Sequence, residues 1–452
     1  MTAVIGALGV AAALTVGAAR AQTTADQAPS KVTTDTVVTA LEAEAAVLHA
    51  FPDVLAARAA IEAAEGELRA ARLLPDPLLE LGSVRTTART GTAATTEPAG
   101  ALEWEVPLPW SYRPGKELAA RNVEAAGAAL ARATLAVRAR VRALVVELAG
   151  AQERIEILAA QRALTADLGS LIALRVSLGE SRELERLRTE VELARIDRAL
   201  ALARAEAKAL VATLRHLSGD RLPDRFRLEG KLSLSVATPT SEELLVRALS
   251  ENPLLAERRA ERDAAAAALR LARGQRSPTL VSRIEQSHDL DTRSQGFSVG
   301  LRVPLWNANR GGIAAATARL RQAEASLESA RREVAGAIAS DASRLRGARE
   351  AAQLLEKSAL RAARSAQEIA DFSYRQGETS LLEALDVRRS FQAVVLEELE
   401  ARRDLHLIRT ELEGLGAWPL EPLPMTANGG PAPDGSPAPA TQPTTHNEEI
   451  PQ

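Results

Sequence analysis

The side chains able to do chemistry are few and widely spread. His49, His216, His288, His406 and His446 contain no i, i+3 or i, i+4 pair, so no two of them share a helix face to hold a metal or pass a proton. Cysteine is absent, which removes disulfides, thiolate metal sites, cysteine nucleophiles and an N-terminal lipidated cysteine. H-E-x-x-H, G-x-S-x-G and phosphate-loop patterns are missing. The expectation is a chain that is not an enzyme, with no catalytic residue, no cofactor-binding residue, no cofactor and no metal site. What recurs instead is a carboxylate in a fixed setting. Glu185 and Glu383 each stand six residues after a glycine, Gly179 and Gly377, and Asp386 follows Glu383 by one helical turn.

That recurrence belongs to a larger one. VPLPWSYRPG (106–115) returns as VPLWNANRGG (303–312). Pro52 matches Pro253, Arg72 matches Arg273 and Pro77 matches Pro278, all at an offset of 201. Pro107 matches Pro304 and Gly115 matches Gly312 at 197, and Gly179 matches Gly377 at 198. Matches in one order at a nearly constant offset argue a tandem duplication. The first repeat spans 36–217 and the second 243–414. Each reads as a helix (36–73 and 243–275), a proline-bounded non-helical hairpin (75–110 and 277–306), a very long helix (113–174 and 313–373), a glycine turn (175–181 and 374–380) and a closing helix (182–217 and 381–414). A linker, 218–242, joins the repeats, and 415–452 follows them. Its last part is rich in Pro, Ala, Thr and Gly and is expected to be disordered.

At the N-terminus an apolar run from Val4 to Ala18 ends in Ala19-Arg20-Ala21. This is a signal-peptide core with an A-x-A cleavage site, giving a signal peptide over 1–21 and a linker over 22–35. The same run as a membrane anchor would be short for a span.

Of the 452 residues 46% are hydrophobic but only 2% aromatic, and Ala, Leu, Arg and Glu dominate. That alphabet favours long helices lying close together. The net charge is −3 with both signs mixed, so no nucleic-acid partner is expected. Val141, Leu144, Leu148, Ala151, Ile155 and Leu158 step by three and four, a coiled-coil seam. A helix of about 60 residues is roughly 90 Å long, and two of the shorter helices end to end match it, giving four columns per chain. An elongated coiled-coil scaffold fits the helices equally well.

The segments between the prolines discriminate. Leu102, Trp104, Val106 and Leu108 alternate with Glu103, Glu105 and Pro107, while Phe297, Val299, Leu301 and Val303 alternate with Ser298, Gly300 and Arg302. Such a period of two, apolar on one face and polar on the other, suits a strand between lipid and water, near the 9–11 residues that cross an outer membrane. A soluble β-cap packed on helices would show the same alternation. Trp104, Trp110 and Trp306 sit in or beside these segments and are assigned to the membrane–water boundary. Four strands cannot close a barrel, and an open edge in lipid is too costly, so the membrane reading requires several copies. Three copies give twelve strands and twelve columns.

This arrangement resembles the outer membrane factor family, the TolC-like efflux ducts, over about residues 36–420. The resemblance rests on Asn252-Pro253 and Pro75-Asp76-Pro77, the duplicated V-P-L…R-x-G phrase, and the turn blocks RVSLGESRELERLRTEVELA and YRQGETSLLEALDVRRS. It implies a mainly α fold with a small β part: a homotrimer with a 12-strand β-barrel continuous with a 12-column periplasmic α-barrel. An equatorial belt would be drawn from 218–240 and the stretch around Trp418. It implies location in the outer membrane of a Gram-negative bacterium, contact with outer membrane lipid, and passive export to the exterior. The implied partners are a periplasmic adaptor (membrane fusion protein) and an inner-membrane pump, expected to be proton-driven.

By the same resemblance Arg175, Ser177, Gly179 and Gly377 fall on the adaptor-contact tip. Glu185, Tyr374, Arg375, Glu383 and Asp386 fall on the tip constriction and its gate. In a trimer each acidic position makes a ring of three carboxylates that favours cations. Thr379 stands where the family's basic gate partner is expected, and Arg375 is the alternative cation. Short strand loops are similar to the heavy-metal (Czc-type) branch, although Met1 and Met425, the two methionines, form no soft-metal relay. The rival readings are the exit duct of a protein-secretion system and a non-channel periplasmic scaffold.

Overall fold

A computed structural model of the protein describes residues 36–87, 94–233, 239–289 and 292–426. The signal peptide and linker expected over 1–35 and the tail beyond 426 lie outside the described residues. The first half runs β1 (Thr36–Val38), α1 (Ala40–Ala50), α2 (Pro52–Arg72), β2 (Leu78–Thr87), β3 (Ala94–Val106), α3 (Pro109–Ser177) and α4 (Glu183–Leu217). Two short strands follow, β4 (Phe226–Leu228) and β5 (Lys231–Leu232). The second half runs α5 (Ser241–Glu251), α6 (Pro253–Gly274), β6 (Thr279–Asp289), β7 (Thr292–Arg302), α7 (Arg310–Leu354), a π turn (Leu355–Ala359), α8 (Leu360–Gln376), α9 (Leu381–Gly414) and β8 (Met425–Thr426).

The single helices expected over 36–73 and 243–275 are each two. Phe51 (φ −68, ψ 123) and Asn252 (φ −63, ψ 121) are extended, and a new helix starts at the proline that follows. The residue before proline is pushed out of the helical region, while proline itself suits the first helical position. Each short helix is opened by a capping box, Thr39 with Glu42 and Thr240 with Glu243. Asn252 caps α6 by accepting from Leu255 N–H (3.1 Å) and donates to the Leu415 carbonyl (2.7 Å).

The first long helix begins at Pro109, earlier than the expected 113, because a first-turn proline lacks only an N–H that has no helical partner. Its 69 residues make a rod of about 100 Å. Pro114, further in, cannot bond back to the Trp110 carbonyl. The end of α6 closes on that point. A Cβ on Gly274 would lie 2.0 Å from the Trp110 oxygen, so only glycine permits the approach.

α3 is the central rod, packed on α2, α6, α4 and α9, while α7 packs on α5, α6 and α9. Of the seam residues Val141, Leu148, Ala151 and Leu158 are buried. Val141 and Leu148 meet Val47, Val54, Leu214 and Phe226 in one core. Val334, Ile338 and Leu345 meet Leu244, Leu255, Leu405 and Leu412 in the duplicate core. Each fully buried Val or Leu contributes about 1.5–3 kcal/mol.

A belt of short strands packs on α3 and α9. β1 pairs in parallel with β4, and β5 pairs antiparallel with β8. Beneath it lies a charged network. Arg142 donates to Glu44 (3.0 Å), Glu413 (2.7 Å) and the Glu421 carbonyl (2.9 Å). Arg409 donates to Glu413 (3.0 Å) and lies 5.4 Å over the Trp418 ring. Arg402 bridges Glu153 (2.9 Å), Glu398 and the Leu232 carbonyl (2.9 Å).

His406 is fully buried on α9, its Nε2 2.7 Å from the Ser233 carbonyl oxygen. Burial, aided by the charges of Arg409 and Arg402, pushes its pKa down from 6.5 to about 4. Between those values the unfolded chain binds a proton that the folded chain refuses. Stability contributed by neutral His406 is therefore complete above about pH 6.5 and falls by about 3 kcal/mol as pH drops to about 4. His406→Gln, which retains an N–H donor for Ser233, is expected to flatten the denaturation midpoint across that window. An unchanged slope would assign the acid sensitivity to other groups.

Candidate functional site

Four long strands form one sheet in the order β2-β3-β6-β7, all antiparallel. The order joins the two repeats directly, β3 pairing with β6. Across the sheet Leu79, Leu102, Ile284 and Phe297 stand in one row. Trp104 and Val299 flank Ser282 in the next, and Val106, Leu280 and Leu301 form a third. Alternation places Glu80, Glu103, Glu105, Arg283, Glu285 and Arg302 on the opposite face. There Arg283 bridges Glu103 (3.2 Å), Glu80 (3.3 Å) and Glu285 (3.4 Å), and Arg302 meets Glu105 (2.7 Å).

Among the described residues no helix covers either face. Phe297 is 71% exposed, Leu79 62% and Leu301 61%. A soluble cap would have used its apolar face to pack on helices; this sheet leaves it bare.

The tryptophans sit at the ends of these strands. Trp104 donates to the Pro75 carbonyl (2.8 Å) and Trp110 to the Pro278 carbonyl (3.2 Å). Trp306 projects freely, 95% exposed. Tyr112 donates to the Arg72 carbonyl (2.5 Å), so the strand-to-helix hinge is tied at several points.

At the far end of the helices the glycine turns are alike. Gly179 (φ 77) and Gly377 (φ 81) adopt the left-handed conformation that side chains resist. Gly179 N–H donates to Val176 O and Glu180 N–H to Arg175 O; Gly377 N–H donates to Tyr374 O and Glu378 N–H to Ser373 O. Both are Schellman closures of a long helix. Ser380 then caps α9 by accepting from Glu383 N–H (3.3 Å), whereas Arg182 gives α4 no side-chain cap.

These turns bring the two repeats together. Tyr374 is buried among Leu168, Ile172, Leu381 and Leu385. Arg175 lies over its ring at 5.8 Å. Burial pushes the Tyr374 phenol up from its usual 10, with the Arg175 charge opposing. Arg175, assigned by resemblance to the adaptor contact, is thus the cation beside Tyr374, while Arg375 is exposed. Ser177 turns its hydroxyl back onto the Leu174 carbonyl (2.7 Å). Glu185 is half-buried; Glu383 and Asp386 are exposed on the first turns of α9. The Thr379 hydroxyl is buried without a hydrogen-bond partner.

Two ties escaped the sequence reading. Arg388 donates to Asp371 (2.8 Å) and Arg389 to Glu192 (2.5 Å), fastening α9 to α8 and α4 just beyond Asp386. Only the adjacent arginine pair marks them in the sequence. No group of three or more His, Cys, Asp or Glu able to hold a metal occurs among the described residues.

Residues 244–416 match the family described as outer membrane efflux protein. The cobalt-zinc-cadmium resistance protein CzcC of Cupriavidus metallidurans is 27% identical over 348 residues, covering 75% of this chain and 80% of the relative. The fold is that of the outer-membrane channel OprN, with TM-score 0.71, 19% identity and coverage of 84% of this chain and 90% of that one. It is equally that of the transmembrane channel CusC, with TM-score 0.70, 18% identity and coverage of 84% and 92%. The second repeat thus carries an outer membrane efflux protein family domain, and the fold match takes in both halves of the chain.

Proposed function

We propose that three copies of this chain form the outer-membrane exit duct of a tripartite efflux system. The duct is passive and carries small molecules or metal cations from an inner-membrane pump and a periplasmic adaptor to the cell exterior. The observation that carries this reading is the bare four-stranded sheet, apolar on one face and charged on the other, running directly into rods of about 100 Å. An open apolar sheet of this kind is stable only when its edges are closed by further copies and its outer face is covered by lipid. The family, efflux, supplies the direction of transport. The resemblance to CzcC, a cobalt-zinc-cadmium resistance protein, favours metal cations as cargo.

Fractionation of the mature chain and planar-bilayer recording test this. The expected result is an outer-membrane particle with stable conductance; a soluble, monomeric, non-conducting product would refute it. The acidic positions at the tip give a finer prediction. Glu383→Gln with Asp386→Asn removes six carboxylates from a trimeric mouth and is expected to lower the cation-over-anion permeability ratio several-fold. Reversal potentials under a salt gradient measure it, and an unchanged ratio would move the constriction elsewhere.

A further inference from the structure

The proposed assembly leaves one junction that the protomer does not contain. β2 and β7 are the two edges of the sheet, and among the described residues neither has a partner on its outer side. The duplication supplies the missing geometry. Inside the protomer the end of the first repeat's hairpin meets the start of the second's: Val106 lies opposite Leu280, and Glu105 opposite Val281. Val106 opens the first V-P-L phrase and Val303 opens the second. Leu280 stands two residues after Pro278, and Leu79 two residues after Pro77. The same contact made between the second repeat of one copy and the first repeat of the next is therefore fixed residue by residue.

We infer that β7 of each copy pairs antiparallel with β2 of a second copy of this chain in one register, Val303 opposite Leu79 of the partner subunit, with Trp306 locking the seam. This rests on the trimeric reading above and adds the register to it.

The faces agree with this pairing along its length. Val303 against Leu79 of the partner subunit and Leu301 against Leu81 of the partner subunit continue the apolar rows. Between them Arg302 comes opposite Glu80 of the partner subunit on the charged face. Both have capacity to spare, their side chains being 60% and 50% exposed in the protomer. A slip of one residue would set Val303 against a glutamate and turn every apolar side chain of one strand into the aqueous face. A slip of two would keep the faces but bring Arg302 against Gly82 of the partner subunit, separating the charges.

Trp306 fits the same transfer. Its counterpart Trp110 donates its ring N–H to the carbonyl of Pro278, the proline that precedes β6. The proline that precedes β2 is Pro77. At the seam the Trp306 N–H is directed to the carbonyl of Pro77 of the partner subunit, and the ring that is 95% exposed in one copy becomes covered.

The absence of native cysteine makes the register directly measurable. In the full mature chain Leu79→Cys with Val303→Cys is expected to oxidise to a covalent trimer on a denaturing gel, since paired strands hold Cα atoms within disulfide reach. Leu81→Cys with Val303→Cys, two residues out of register, is expected to give little product. The single variants, checked for native particle size and for absence of linked product, establish that the chain still assembles. A trimer that links through Leu81 rather than Leu79, or through neither, overturns the register while leaving the duct intact. A monomeric particle overturns both.

For the lock, Trp306→Phe, which keeps a ring but loses the N–H, is expected to lower the temperature at which the trimer dissociates, and Trp306→Ala, which loses both, to lower it further. A Phe variant as heat-resistant as the native trimer would overturn the N–H bond to Pro77 of the partner subunit, and an equally resistant Ala variant would remove Trp306 from the seam.

Discussion

Phe297→Arg is expected to abolish stable assembly in the outer membrane, while Ser298→Arg, one residue along, leaves it nearly intact. The two side chains leave the same strand in opposite directions. Phe297 ends a row of four apolar residues, and the bare face it shares is the one assigned to lipid. Arginine on the lipid face of a barrel costs about 2–4 kcal/mol near the membrane centre and less toward either boundary. In the proposed trimer three copies multiply that cost, against a total stability of only about 5–15 kcal/mol for an ordinary domain. Ser298 lies opposite Arg283, on the face where carboxylates already outnumber arginines, so an added cation there meets water and negative charge. The yield of heat-resistant trimer in the outer-membrane fraction measures both. Equal loss from both substitutions would mean that the sheet has no lipid side.

The second large effect lies at the belt. Glu413 is completely buried and accepts from Arg142 at 2.7 Å and Arg409 at 3.0 Å. Glu413→Ala leaves two buried guanidinium groups facing each other without their shared carboxylate. Breaking a buried pair by removing one partner costs about 3–5 kcal/mol, far more than the pair contributes against a well-packed apolar replacement. Glu44 and Glu421 stay close to the two arginines and keep the loss toward the lower part of that range. Glu413→Gln preserves shape and acceptor and is expected to cost less. The denaturant midpoint of the purified protein in detergent orders the three chains, wild type above Gln above Ala. A Gln variant as unstable as Ala would show that charge, not hydrogen bonding, holds this part of the belt.

The parts of the fold that could be read from the sequence are those whose cause is local. Prolines bound the hairpins because they cannot donate to a ladder, and Gly179 and Gly377 end the long helices because few other residues take a positive φ. The alternation from Phe297 to Val303 is visible because its period is two and its faces meet different surroundings. The break before Pro52 was equally local, but an unbroken helical pattern of Ala, Leu and Glu on both sides concealed it.

What escaped is non-local. Arg142 lies 98 positions from Glu44 and 271 from Glu413, and no periodicity links them. Arg389 reaches Glu192 across 197 positions. Arg175 and Tyr374 come from different repeats, and they meet because two Schellman turns set two helix ends side by side. The duplication made the halves legible separately; their contacts had to be seen in three dimensions.

The π turn at Leu355–Ala359 bears on the history of that duplication. The halves are 197 positions apart at Gly115 and Gly312, but 198 apart at Gly179 and Gly377. Between those landmarks the second repeat is one residue longer than the first, and α3 runs through the corresponding stretch without interruption. A widened turn with i to i+5 bonding is how a helix accommodates a single extra residue without rotating everything beyond it by a hundred degrees. Passed down the rod instead, the extra residue would swing Tyr374 out of its apolar nest and away from Arg175. The π turn takes up one residue, and the two repeats stay in phase where Tyr374 and Arg175 touch.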